Sequence, residues 1–194
     1  MRIGVLALQG DFREHLQALR GIGVDAQEVR LPRDLARVDG LIIPGGESTT
    51  IGKLLVAFDL MEDVRKRALD GFPVYGTCAG AIVLSSDVRG SGVDQPVVGV
   101  MDTTIQRNAF GRQVDSFEVD LPIAVLGEQP FHAVFIRAPV IERIGPGVNP
   151  LARLSDGTVV AVQQGNLVAT AFHPELTRDG RFHRYFAELV ERCL

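Results

Sequence analysis

Short apolar runs that stop at glycine and give way to helical spacing recur through the first half of this sequence, and no other feature restricts the fold as strongly. Ile3 to Leu8 is the first run, free of polar side chains, as expected of a strand buried on both faces. Past Gly10, residues Phe12, Leu16, Leu19 and Ile22 fall three or four apart, and Gly21 and Gly23 supply a stop. Ala26 to Val29 and Gly40 to Ile43 read as further strands. Pro44-Gly45-Gly46 ends the latter, and Ser48, Thr49 and Thr50 stand where they can cap a helix that turns Ile51, Leu54, Leu55 and Phe58 inward. A helix over Met61 to Leu69, a short strand at Pro73 to Tyr75, the turn Gly76-Thr77-Cys78-Ala79-Gly80 and an apolar helix from Ala81 to Leu84 complete the alternation. This strand-helix order predicts an α/β fold with a mostly parallel central sheet flanked by helices.

From about Val97 the period shortens to two. Asp102 to Gln106, Gln113 to Val119 and Val134 to Arg137 read as additional antiparallel strands, and Gly165-Asn166 between Val159–Gln163 and Leu167–Phe172 marks a tight hairpin. Phe182, Phe186, Leu189, Val190 and Cys193 restore helical spacing at the end. With 194 residues, 46% of them hydrophobic, the chain can bury one substantial core, so a single domain over residues 1–194 is expected. A formal net charge of -4 with mixed signs argues against a broad surface for nucleic acid or membrane phosphates. The first apolar run is too brief for a signal-peptide core, and no segment approaches the length of a membrane span. Two cysteines offer no disulfide framework and point to a reducing, cytoplasmic setting.

One of those cysteines carries the chemistry. Gly76-x-Cys78-x-Gly80 lies where a strand passes into a helix, the arrangement of a nucleophile elbow. A side chain held at the tip of such a turn crowds the positions two residues either side, and glycine relieves the clash. The start of a helix also presents unpaired amide dipoles that assist a sulfur nucleophile. Free cysteine is more often a packing residue, and Cys193, on the apolar face of the last helical segment, is read that way.

A sulfur nucleophile needs a base and a proton donor for the leaving group. Of the four histidines, His15 and His183 fall in helical stretches with charged neighbours and read as solvated, while His132, beside Pro130 and Phe131, has no partner pattern. His173 ends an apolar strand, Pro174 stops the ladder, and Glu175 follows two residues on. In extended backbone, residues two apart project to one side, so Glu175 is placed to hold the imidazole in one tautomer and support its charged form. The expected triad is Cys78, His173 and Glu175.

Attack on an amide also calls for donors aimed at the developing oxyanion. The glycine turn after Ile43 is expected to bring the Gly46 amide to the same sheet edge as the Ala79 amide, and these two are the expected oxyanion hole. Gly45-Gly46 with Gly52-Lys53 invites a phosphate-loop reading, but five residues separate Gly46 from Gly52 and Leu54 stands where Ser or Thr is required. Among charged and polar residues that can grip an amino acid, Arg107, Arg137, Glu47 and Ser48 are candidates that spacing alone does not separate from solvated surface groups.

These segments resemble class I glutamine amidotransferases, whose glutaminase domains use Cys, His and Glu in that chain order. The sequence is similar in particular to the branch that serves pyridoxal 5'-phosphate (vitamin B6) synthesis, through Leu8-Gln9-Gly10-Asp11, Pro44 to Leu54, Gly76 to Gly80, Arg107-Asn108-Ala109-Phe110-Gly111-Arg112-Gln113, Phe135 to Pro139 and Ala171 to Glu175. Ile82 stands where many other class I members have Gln. The resemblance implies Cys78 as nucleophile, His173 and Glu175 as its relay, and glutamine contacts from Gly46, Glu47, Ser48, Arg107, Ile136 and Arg137. It implies hydrolysis of L-glutamine to L-glutamate and ammonia, with the ammonia passed to a separate barrel-shaped pyridoxal 5'-phosphate synthase subunit in a hetero-oligomeric complex. Pyridoxal phosphate is then a product of the complex, and this chain is expected to carry no cofactor and no metal. A cysteine hydrolase of another pathway, and a non-catalytic module that keeps the elbow for structural reasons, are the competing expectations.

Overall fold

The computed structural model describes residues 1–90, 94–107 and 116–194. Its first half alternates as expected: β1 (Arg2–Leu6), α1 (Phe12–Gly21), β2 (Asp25–Val29), α2 (Pro32–Leu35), β3 (Gly40–Ile43), α3 (Ser48–Ala57), α4 (Met61–Leu69), β4 (Val74–Thr77) and α5 (Ala79–Leu84). The second half holds β5 (Ser85–Arg89), β6 (Met101–Gln106), β7 (Ser116–Leu121), β8 (Phe131–Ile136), β9 (Val140–Ile144), β10 (Asn149–Arg153), β11 (Val159–Gln164), β12 (Leu167–Thr170) and α6 (Arg181–Glu191). Three-residue 3-10 turns lie at Ala124–Leu126 and Pro174–Leu176.

A ten-stranded sheet runs β2-β1-β3-β4-β12-β11-β9-β6-β5, with β10 paired to β11. The five strands from β2 to β12 are mutually parallel, and the sheet then turns antiparallel through β11, β9 and β6. The Gly165-Asn166 hairpin joins β11 to β12, with Gly165 at φ 54° and Gln164 paired to Leu167. β7 and β8 form a separate antiparallel pair. Residues 113–115 of the expected strand from Gln113 lie outside the described residues; Ser116 onward is strand as expected.

Burial explains the uninterrupted apolar runs. Every residue of β3, β4 and β12 is buried, because parallel strands at the sheet centre are covered on both faces. Leu41 and Ile43 enter a core with Ile51, Leu55 and Val64 of α3 and α4, while Ile42 between them enters a second core with Leu16, Leu19, Phe182 and Phe186 of α1 and α6. The β7–β8 pair docks on the second core through aromatic rings: Phe131 meets Phe182 edge-on at 5.1 Å between centroids, and Phe135 meets Phe172 at 5.4 Å. The His173 amide then donates to the Val134 carbonyl at 2.8 Å, which fixes the end of β8 beside the end of β12.

Several expectations are corrected. α3 is capped by the Glu47 carboxylate, which accepts from the Thr49 and Thr50 amides at 3.2 and 2.7 Å, and not by Ser48, Thr49 or Thr50. Phe58 is the C-cap of that helix and 40% exposed, so it does not point inward. Cys193 lies beyond the end of α6 and is exposed, because the apolar face is completed by Val190. Among the described residues, no helix is long and apolar enough to cross a membrane.

Candidate active site

Strand order decides which residues meet. β3, β4 and β12 are parallel neighbours, so the segments that follow them, Gly45-Gly46, Cys78 and His173, emerge at one edge of the sheet. The Cys78 amide donates to the Thr170 carbonyl at 2.8 Å, and the chain then turns at once into α5.

That turn holds Cys78 at φ 48° and ψ −102°, a conformation that L side chains rarely adopt and that costs about 1–3 kcal/mol. Its glycines are required by backbone packing. A Cβ on Gly76 would stand 2.5 Å from the Gly80 carbonyl carbon, and one on Gly80 would stand 2.0 Å from the Ile43 carbonyl oxygen. The crowding thus comes from the first turn of α5 folding back on β4 and from β3 beside it, and not, as expected, from the cysteine side chain. Gly45, after β3, makes room for the histidine that follows β12 two strands away: a Cβ there would meet His173 Cε1 at 2.4 Å.

Cys78 and His173 both line an open cavity of about 460 Å³, with Gly46, Glu47, Ser48, Ala79, Arg107, Ile136 and Arg137 in its walls. The residues named from sequence therefore gather at one site, with Glu175 behind the histidine. The Cys78 sulfur lies 3.9 Å from the Ile136 carbonyl oxygen. His173 Nδ1 lies 2.7 Å from Glu175 Oε1. Burial opposes a charge on His173, but hydrogen bonding and charge interaction with Cys78 and Glu175 outweigh it and raise the imidazole to about 10. Glu175 is itself pushed above its ordinary value by burial, against the pull of His173. Its position does not come from strand alternation. β12 stops at Thr170, and Pro174–Leu176 is a 3-10 turn that brings the carboxylate under the ring.

The two arginines differ. Arg107 is held by Glu47 Oε1 at 2.8 Å, Thr49 Oγ1 at 3.0 Å and Gln95 Oε1 at 2.9 Å, while Ser48 Oγ also donates to Gln95 Oε1. Partial burial works against the Glu47 charge, yet bonds from Thr50 and Thr49 together with Arg107 keep its carboxyl below the usual range. Arg137 sits at φ 43°, exposed, and among the described residues its guanidinium has no partner. The segment 108–113 of the Arg-Asn-x-Phe-Gly-Arg-Gln motif lies outside the described residues.

Gln9, Gly10 and Asp11, which carry part of the resemblance but were given no role in the site, also line the cavity, as does Leu176. Gln9 Oε1 accepts the Glu47 amide at 2.7 Å, and Asp11 Oδ2 lies 3.6 Å from His173 Nδ1. A polar triplet directly after a buried strand at the carboxyl edge of a sheet was the available signal. Asp11, His173 and Glu175 also form the one group among the described residues whose donor atoms are close enough together for a metal, but the Glu175–His173 bond already occupies Nδ1. Gly52 is buried within α3, with the Pro96 carbonyl oxygen 2.1 Å from a Cβ placed on it, and Lys53 is exposed, so no phosphate cradle forms there.

The other histidines depart most from expectation. His15 and His183 are fully buried, not solvated, since both fall on the core-facing sides of their helices. His132 lies in β8 and does have partners, Asp120 at 2.8 Å and Glu118 at 2.8 Å across the β7–β8 pair.

Comparison with known proteins agrees with this architecture. The model of the SNO glutamine amidotransferase family matches residues 5–192. The pyridoxal 5'-phosphate synthase subunit PdxT of Moorella thermoacetica is 62% identical over 190 residues, covering 98% of this chain and 100% of the relative. The protein of the same name from Herpetosiphon aurantiacus is 60% identical over 190 residues, covering 97% and 100%. A solved structure described as the crystal structure of glutamine amidotransferase superposes with a TM-score of 0.92 at 54% identity, covering 97% of this chain and 98% of the other. With the family model matched almost end to end, the chain belongs to the SNO glutamine amidotransferase family.

Proposed function

We propose that this chain, as one domain over residues 1–194, is the glutaminase subunit of a pyridoxal 5'-phosphate synthase, hydrolysing L-glutamine and delivering ammonia to a synthase partner in a hetero-oligomeric complex. The observation that carries the reading is the meeting of Cys78 and His173 on one cavity wall, with Glu175 Oε1 bonded to His173 Nδ1 at 2.7 Å behind the ring. The names of the relatives support the pathway.

In this mechanism the Cys78 sulfur attacks the side-chain carbonyl carbon of glutamine. The amides of Gly46 and Ala79 hold the oxyanion. His173 gives its proton to the departing nitrogen as the C–N bond breaks, releasing ammonia and leaving a γ-glutamyl thioester. Water then loses a proton to His173 and attacks the thioester, so that glutamate leaves and the thiol is restored. Glu175 keeps the ring in the tautomer that presents Nε2 to the sulfur. Arg137, with its free guanidinium, is suited to the α-carboxylate of glutamine, and Glu47 and Ser48 to its α-ammonium. Arg107 supports that wall from its bonds to Glu47 and Thr49, and Ile136 closes the cavity beside the sulfur. A free nucleophilic thiol fits a cytoplasmic, reducing setting.

The test is glutamine hydrolysis by the complex reconstituted with its synthase. Cys78→Ala is expected to lower kcat by about 10³-fold or more with the fold unchanged. Ordinary turnover by that variant would overturn the assignment.

A further inference from the structure

Behind the proposed triad lies a second buried chain of polar groups that the mechanism above does not use. Glu175 offers one carboxylate oxygen, Oε1, to His173; its other oxygen, Oε2, is buried and has no hydrogen bond of full geometry. The ring atom facing Oε2 is His15 Nε2, at 3.4 Å, and the same nitrogen lies 3.1 Å from Thr77 Oγ1. His15 Nδ1 is 3.0 Å from His183 Nε2, and His183 Nδ1 is buried with no partner. Glu175, His15, Thr77 and His183 are all buried, the last three completely.

Two arrangements of protons are open to a neutral pair of rings. In the first, His15 Nδ1–H donates to His183 Nε2. His183 must then carry its proton on Nδ1, a buried donor without an acceptor, and the lone pair of His15 Nε2 faces the Glu175 carboxylate. In the second, His183 Nε2–H donates to His15 Nδ1, and His15 Nε2–H donates to Thr77 Oγ1 with Glu175 Oε2 beside it at 3.4 Å. The first leaves a buried donor on His183 Nδ1, and the second leaves one on the Thr77 hydroxyl, which can otherwise donate to His15 Nε2; only the second sets a donor and not a lone pair against the Glu175 anion, so it is the lower in energy. Burial keeps both rings uncharged, and repulsion from His183 and His173 adds to it at His15.

We propose that His15 is a positioning residue of the glutaminase site, whose Nε2–H holds the second oxygen of Glu175 so that the first stays aligned on His173, with His183 fixing the tautomer that makes this donor available. The proposal rests on the glutaminase reading above. The groups that face the Glu175–His173 pair are then His15, Asp11 and Cys78, and those that face His15 are His183, Thr77 and Glu175.

Two measurements decide it. In the reconstituted complex, His15→Leu, which fills the space without a donor, is expected to lower kcat by about ten-fold with KM unchanged. It should also move the alkaline limb of the activity profile to lower pH, because a less well-held carboxylate supports less charge on His173. His15→Gln, whose Nε2 can donate from the same place, is expected to stay within about two-fold of the parent, a small fraction of the value of a charged hydrogen bond. Equal loss in both variants, or full activity of folded His15→Leu, would overturn the proposal. Independently of any variant, 15N spectra of the histidine rings in the unaltered chain should report both His15 and His183 neutral and protonated on Nε2; protonation of His15 on Nδ1 would overturn it. Cys78→Ala, run alongside, separates the two readings: an active Cys78→Ala removes the glutaminase reading itself, whereas an inactive one with unimpaired His15→Leu removes only the role of His15.

Discussion

At the residue scale, the site depends on two groups held where free amino acids would not hold them. Cys78 takes a positive φ because β4 runs directly into α5, and His173 carries a pKa of about 10 because burial is outweighed by Cys78 and Glu175. The second fact has a sign that can be tested. Activity needs the charged ring, so it should persist through neutral pH and fall only as the pH climbs towards about 10. Glu175→Gln removes the carboxylate charge, and the alkaline limb should then move down while kcat drops by about 10²-fold or more. A pH profile of glutamine hydrolysis for the pair checks both, and an unmoved limb would mean that Glu175 does not support the ring. The triad was legible in the sequence because Gly-x-Cys-x-Gly and His-Pro-Glu are local patterns. His15 and His183 were not, because charged neighbours masked the fact that His15 lies one turn from Phe12 and Leu19, and His183 next to Phe182 on the inner face of its helix.

At the element scale, the turn from β4 into α5 is closely packed backbone against backbone, and two glycine substitutions distinguish tight backbone from free. Gly80→Ala drives a Cβ to 2.0 Å from the Ile43 carbonyl oxygen, part of a rigid central strand. It should destabilise the chain by about 1–3 kcal/mol or more in denaturant unfolding and misplace Cys78. Gly21, at the end of α1, has nothing within 4 Å of a new Cβ and no positive φ, so Gly21→Ala should stabilise by about 0.4–1 kcal/mol. The same unfolding series measures both, and a neutral Gly80→Ala would contradict the packing account. The parallel strands and their helices were readable because full burial writes an unbroken apolar run. α2, β5, β9 and β10 were missed: α2 is four residues long, β5 is an edge strand, β10 pairs only with β11, and β9, though inside the sheet, has a single buried residue, so none leaves an unbroken apolar run.

At the scale of the whole molecule, the pairing of β12 with β4 makes the site, since it joins residues almost a hundred positions apart, and no local pattern announces it. The buried histidines also give the molecule a dependence on acid. His183 is held down to about 4 by burial, and His15 well below 6.5 by burial and by His183 and His173. As the pH falls below about 6.5, the unfolded chain binds protons that the folded chain refuses, so the two rings cost stability progressively. Glu175, raised by its burial, acts in the opposite sense above 4.5. Replacing His183 with Leu removes one of the two refused protons, so its Tm should fall less than the parent's between about pH 7 and pH 5. Equal slopes would show that His183 titrates freely in the folded chain.

The central claim concerns one sulfur, and the most direct measurement is covalent capture by a glutamine analogue with an electrophilic carbon in place of the side-chain amide, followed by peptide mass mapping of the complex. A single label on Cys78, slowed by added glutamine and lost when His173 is replaced by Ala, is the predicted result. An unlabelled Cys78, or equal labelling of Cys193, would contradict the account.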